Sequence, residues 1–132
     1  MRLADVTLKY YQKDMDYSCS ESMLRGIDEY YHLNMPESIF KSSSAFSGGM
    51  YGGHVCGCMS ACAMALGYLF SNGHAHQSEK MQDMIRKMNE TFIERLGSYD
   101  CLVIKPKYHD PKKRCAFIVK TASDIFEEIY VS

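Results

Sequence analysis

An excess of charge of either sign is missing from this 132-residue chain, whose formal net charge is −1. A nucleic-acid partner normally leaves a basic patch, so that partner class is set aside. No apolar stretch follows Met1-Arg2, where LADVTLKYYQKD mixes polar and apolar residues. No secretory signal is read there, and a cytoplasmic protein is expected. Tryptophan is absent while methionine occurs ten times, which suits an adaptable core. Internal repeats, low-complexity segments and linkers are also missing. The expectation is a single domain over residues 1–132, long enough to bury a core. There is no Walker loop and no dinucleotide fingerprint. Apart from the thiols, no nucleophile–base–orienter set is evident.

One segment lacks charge altogether. From Cys56 to Phe70 only Ser60 and Tyr68 carry polar side chains besides the thiols. A soluble protein holds so apolar a segment by surrounding it, so a buried central helix is expected. At about 15 residues it is too short to span a bilayer comfortably, and no membrane partner is expected. A glycine-rich loop, Gly48-Gly49-Met50-Tyr51-Gly52-Gly53, precedes it.

Around this segment the chain reads as helices. Residues 2–14 are helical with imperfect periodicity. Ser18 and Glu21 form a capping box for a helix whose stripe is Met23, Ile27, Tyr30 and Tyr31. Pro36-Glu37 starts a short helix over about residues 36–44. Ser71-Asn72-Gly73 ends the central helix. A long amphipathic helix covers about 78–96, with Met81, Met84, Ile85, Met88, Phe92 and Leu96 on one face, and Gly97 stops it. Leu102-Val103-Ile104 is the one candidate strand, and Lys105 to Arg114 reads as a charged loop. Cys115 opens the last helix, with Phe117, Ile118, Ala122, Ile125, Phe126 and Ile129 buried. The expected fold is all-α: a single-domain bundle of about five helices around the buried one.

Six cysteines in a cytoplasmic chain point to metal ligands or redox thiols before structural disulfides. Cys19, Cys56, Cys101 and Cys115 share a position type, each in a loop or at the first turn of a helix. Unpaired N–H groups and the positive end of the helix dipole stabilise a thiolate there. Four such thiolates at the meeting point of helix ends would suit an iron–sulfur cluster or zinc. Gly48, Gly49, Gly52 and Gly53 fit a cofactor-binding role, because backbone amides without a Cβ can approach an anion closely. Cys58 and Cys62 are four residues apart on one helix face. They read either as a metal-biting pair or as core, since free cysteine packs as a small hydrophobe. Cys56 lies about 200° around the helix from Cys58, so it joins them only if it is still in the loop. His54 is two residues before Cys56 and reads as a ligand, a proton relay or a backbone cap. His74 and His76 read as solvated. The basic run Lys105, Lys107, Lys112, Lys113 and Arg114 reads as a solvated loop, as a means of lowering thiol pKa values, or as a dock for an acidic redox partner.

These residues carry a resemblance. The chain resembles the C-GCAxxG-C-C family of redox-active proteins nearly end to end. The family's early cysteine falls on Cys19 in Ser18-Cys19-Ser20-Glu21. Its glycine-rich loop resembles Phe46 to Gly53, its motif Cys-Gly falls on Cys56-Gly57, and its Leu-Gly ending falls on Leu66-Gly67. The late pair falls on Cys101 and Cys115. Where the motif has Ala this chain has Cys58, where it has its second Gly this chain has Ala61, and Cys62 is a further thiol. The resemblance implies an all-helical fold and a redox role. It also implies an iron–sulfur centre, because a related domain of split-Soret cytochromes is credited with one.

The expected function is therefore a small redox protein, an oxidoreductase in the broad sense, that binds an iron–sulfur cluster for electron transfer or small-molecule reduction. Its main ligands would be Cys19, Cys56, Cys101 and Cys115, with Cys58 and Cys62 added. A redox protein or a small molecule would be the partner. The alternatives are a metal-free thiol/disulfide oxidoreductase and a zinc- or copper-binding module. Abundant tyrosines and methionines point to a homodimer.

Overall fold

The computed structural model describes residues 1–131. Among them are seven α-helices and no strand: α1 (Leu3–Tyr10), α2 (Cys19–Tyr31), α3 (Glu37–Ser43), α4 (Gly57–Phe70), α5 (Glu79–Leu96), α6 (Cys101–Tyr108) and α7 (Ala116–Val131). The all-helical expectation holds, but the count of about five does not. No helix among the described residues is long and apolar enough to cross a membrane.

The uncharged segment forms α4. It packs against α2, α5 and α7, while α1 lies across α2 and α7. Small residues make the close packing possible: Ala61, Cys62 and Ala65 are fully buried. They meet Met23, Leu24 and Ile27 of α2, Met88 and Phe92 of α5, and Ile125 and Phe126 of α7 within one core. Fully burying each large apolar side chain contributes about 1.5–3 kcal/mol. At the α1–α2 crossing a Cβ on Gly26 would collide with the Thr7 side chain. Thr7 Oγ1 in turn hydrogen-bonds Ser123 Oγ of α7 at 2.6 Å, so this buried hydroxyl pair is satisfied inside the seam.

Helix ends follow the local chemistry. Ser18 caps α2 through the Glu21 N–H, and the Glu21 carboxylate accepts from the Ser18 N–H at 3.1 Å. Gly97, at φ 85°, closes α5 in the left-handed conformation. α4 ends at Phe70, just before Ser71-Asn72-Gly73 as expected, but without a left-handed cap: Ser71 is extended, and Asn72 Oδ1 accepts from the His74 N–H at 3.0 Å.

Two further expectations are corrected. Leu102-Val103-Ile104 is not strand but the first turn of α6, which continues to Tyr108 with Pro106 inside it. The Asp100 carbonyl accepts from both the Val103 and Ile104 N–H groups, and Ile104 is buried in the core. Phe117 is not core. It is 53% exposed and stacks on Tyr108, with 5.1 Å between ring centroids. Val119 takes the buried place on α7 instead.

Candidate functional site

Four helices begin at one place. Cys19 is the first residue of α2, Cys56 is the N-cap of α4, Cys101 is the first residue of α6, and Cys115 immediately precedes α7. These four cysteines, together with Cys58 in the first turn of α4, line one cavity of about 210 Å³. Cys62 sits a turn deeper, fully buried and off the cavity. All six thiols are free.

Backbone hydrogen bonds set this convergence. The Cys56 N–H donates to the Tyr99 carbonyl at 2.8 Å, and the Cys101 N–H donates to the His54 carbonyl at 2.7 Å. This short antiparallel junction ties the segment before α4 to the segment before α6. Cys115 arrives by a tight turn in which Asp110 and Arg114 exchange two backbone hydrogen bonds, while Asp110 Oδ1 accepts the Lys112 and Lys113 N–H groups. The Cys115 N–H then donates to the Tyr11 hydroxyl at 3.2 Å. Arg114 locks the same tyrosine from above, its guanidinium 4.2 Å from the ring centroid and donating to the Tyr11 carbonyl at 2.6 Å.

The glycines divide. Gly48, Gly49, Met50 and Tyr51 all have left-handed backbone, with φ of 60°, 66°, 59° and 57°. Four such residues in succession make one turn of left-handed helix, which costs a non-glycine residue about 1–2 kcal/mol. A Cβ on Gly49 would come within 2.6 Å of the His54 backbone and 2.9 Å of the Cys101 Cβ, so this position backs the site closely. Gly48 lines the cavity itself. Gly52 and Gly53 lie against the His54 ring and Leu102 and do not line the thiol cavity. Gly57, the motif glycine, is pressed between the Cys19 Sγ and the Phe46 carbonyl, each 2.9 Å from where a Cβ would stand.

The thiols differ in chemistry. Cys19 is brought down to about 7, first by a hydrogen bond with Cys58 and further by the backbone N–H groups of Gly48, Ser20 and Cys19 itself, against the opposing effect of burial. Cys58 is pushed well up as the donor to both Cys19 and Cys56 in a fully buried position. Burial raises Cys62 and Cys101, and it raises Cys115 to about 11. Among the described residues, no three His, Cys, Asp or Glu side chains stand together as the ligands of a single ion would.

Of the remaining residues that the sequence singled out, Lys105 and Arg114 line the cavity, whereas the His54, His74 and His76 side chains do not. Sequence reasoning missed Tyr11 and His109, which also line it. Tyr11 is 104 residues from the cysteine it contacts, and no local pattern marks it. His109 sits inside what reads as an ordinary charged loop.

A search of curated proteins and a search of solved structures returned no match. A family model does match, over residues 17–129, under the description "Putative redox-active protein (C_GCAxxG_C_C)". That span begins just before Cys19, ends near the close of α7 and contains every cysteine of the cavity. On that match the chain belongs to the C_GCAxxG_C_C redox-active family.

Proposed function

We propose that this protein is a small redox protein whose cavity thiols hold an iron–sulfur cluster, for electron transfer or reduction of a small molecule. The observation that carries this reading is the ring of Cys19, Cys56, Cys58, Cys101 and Cys115 around a single cavity at the N-terminal ends of α2, α4, α6 and α7. The donor set suits the group, because thiolate sulfur is the usual ligand of such clusters. The surroundings suit it as well. Cys19 receives backbone N–H groups from Gly48 and Ser20, the kind of contact that stabilises an anionic sulfur.

Cys19, Cys56, Cys101 and Cys115 would be the ligands, with Cys58 as a fifth thiol beside them. A bound cluster supplies one-electron transfer at a potential set by its charge, hydrogen bonds and exposure. The protein's own part is to hold the thiolates. The helix ends and the amides of Ser20 and Gly48 favour their charged form, and Ile104 and Ile118 keep the inner wall apolar. Lys105 and Arg114 bring positive charge to the same space. The test is anaerobic purification followed by a visible spectrum, with iron and acid-labile sulfide measured per chain. Brown protein with matched iron and sulfide is expected. Colourless, iron-free protein that also resists reconstitution would overturn the reading.

A specific contact favours one alternative, thiol/disulfide chemistry. Cys19 and Cys58 are hydrogen-bonded to each other, one lowered and one raised. Oxidation of this pair would form one S–S bond and release two protons and two electrons to an acceptor. A metal-free protein in which air oxidation removes only these two thiols from alkylation, read by peptide mass spectrometry, would favour this function over the cluster.

A further inference from the structure

The thiol cavity adjoins a second space. An outer cleft of about 640 Å³ is walled by Tyr51, Leu102 and Pro106, within the size range of small-molecule pockets. Gly48, Cys101, Lys105 and His109 line both spaces, so the two meet at these residues and Cys101 borders the outer one as well. The outer cleft is therefore an approach to the thiols.

Its chemistry is one-sided. No Asp or Glu among the described residues lines either space, whereas Lys105 and His109 stand where the two meet and Arg114 lines the inner one. Arg114 is held in place by its contacts with Tyr11, so that charge is positioned in advance. The outer wall is apolar and uncovered. Tyr51 is 80% exposed and Leu102 is 73% exposed. Tyr51 holds its place at the rim on left-handed backbone, an unfavourable conformation for a non-glycine residue at an exposed position.

We infer that the outer cleft binds a small organic anion with a flat apolar body. Its negative head lies against Lys105 and His109 beside Cys101, and its body covers Tyr51, Leu102 and Pro106. As a substrate site this deepens, and rests on, the redox reading above. Binding itself requires neither a cluster nor a reaction, so the experiment reads binding alone.

The chain has no tryptophan, so Tyr51→Trp creates a single reporter at the rim. The anaerobically purified protein is titrated with benzoate, and with benzyl alcohol as the uncharged control. Benzoate should give a saturable change in tryptophan fluorescence and benzyl alcohol none. Lys105→Met, which keeps the aliphatic stem, should weaken benzoate by about tenfold through loss of the charge-assisted contact. Calorimetry of benzoate into the unsubstituted protein and its Lys105→Met variant should give the same order, and it decides the matter if the tryptophan variant does not fold. Equal responses to both probes, benzoate binding unaffected by Lys105→Met, or no saturable binding by calorimetry would overturn the inference. Iron-free protein that binds benzoate would leave this inference standing while the cluster reading falls. Iron-loaded protein that ignores benzoate would do the reverse.

Discussion

Cys19 holds its charge because its neighbours donate to it. The Cys58 thiol contributes most, followed by the Gly48 and Ser20 amides. In metal-free protein, alkylation of Cys19 should rise with pH around a midpoint near 7, below that of an ordinary thiol. Cys58→Ala removes the leading donor and should move that midpoint up. Cys58→Ser keeps a donor and should leave it low. The quantity to measure is the rate of Cys19 labelling against pH by peptide mass spectrometry, and equal midpoints in the two variants would show that Cys58 is not the cause. The linkage has a definite sign. A thiol whose value is lowered on folding adds stability above its unfolded value and loses it as pH falls through about 7. Cys115, raised to about 11, behaves oppositely and loses its contribution as pH rises through that value. Gly57 is the other position where a single atom matters. Gly57→Ala would drive a methyl group against the Cys19 sulfur and the Phe46 carbonyl. Overpacking of this kind costs about 1–3 kcal/mol, measurable as a lower urea midpoint with an unchanged slope. At this scale the four outer cysteines were legible in sequence as loop or helix-start positions, although the helix that Cys101 opens was not. The Cys19–Cys58 contact was not, because it depends on how closely α2 approaches α4.

The left-handed turn at Gly48–Tyr51 and helix α6 work as a pair. The turn backs onto Cys101 through Gly49, and α6 begins at that cysteine because the His54 carbonyl accepts its N–H. Gly49→Ala would place a Cβ at a φ of 66° and within 2.6 Å of the His54 backbone. Strain and overlap together should cost about 2–4 kcal/mol, seen as a fall in unfolding free energy. The same variant should lose the matched iron and sulfide, since it separates the segments that bring Cys56 and Cys101 together. Retention of both at full stability would show that the junction has slack. Elements that obey local rules were readable from sequence. The α2 capping box, the three-and-four stripe of α5 and its glycine stop all appear as expected. Helix α6 hid for a physical reason. Val103 and Ile104 are β-branched and Pro106 lacks an N–H, so local propensity argues against a helix. Contact with the His54 segment and burial of Ile104 override that propensity, and neither is visible in eight consecutive residues.

For the whole molecule, the overall charge of −1 conceals a strong asymmetry. Five of the 15 basic side chains fall at Lys105, Lys107, Lys112, Lys113 and Arg114, with Asp110 the one acid in that stretch. The fold puts two of these, Lys105 and Arg114, on the wall of the thiol cavity. The average charge would predict faint repulsion of an anion, whereas the local field predicts attraction. The two are separable with a pair of thiol reagents of similar size, one a dianionic aromatic disulfide and the other a neutral dipyridyl disulfide. Metal-free reduced protein should react faster with the anion than the reagents' rates with a free thiol would imply. Raising the salt from about 10 mM to about 0.5 M shortens the reach of the field severalfold and should remove most of that advantage. The neutral reagent should be nearly indifferent to salt. Lys105→Met should reproduce part of the salt effect at low ionic strength, because it removes a cation that lines both the cavity and the outer cleft. An anionic rate that rises with salt would mean that the acidic remainder of the surface dominates. The basic run would then be no more than a solvated surface.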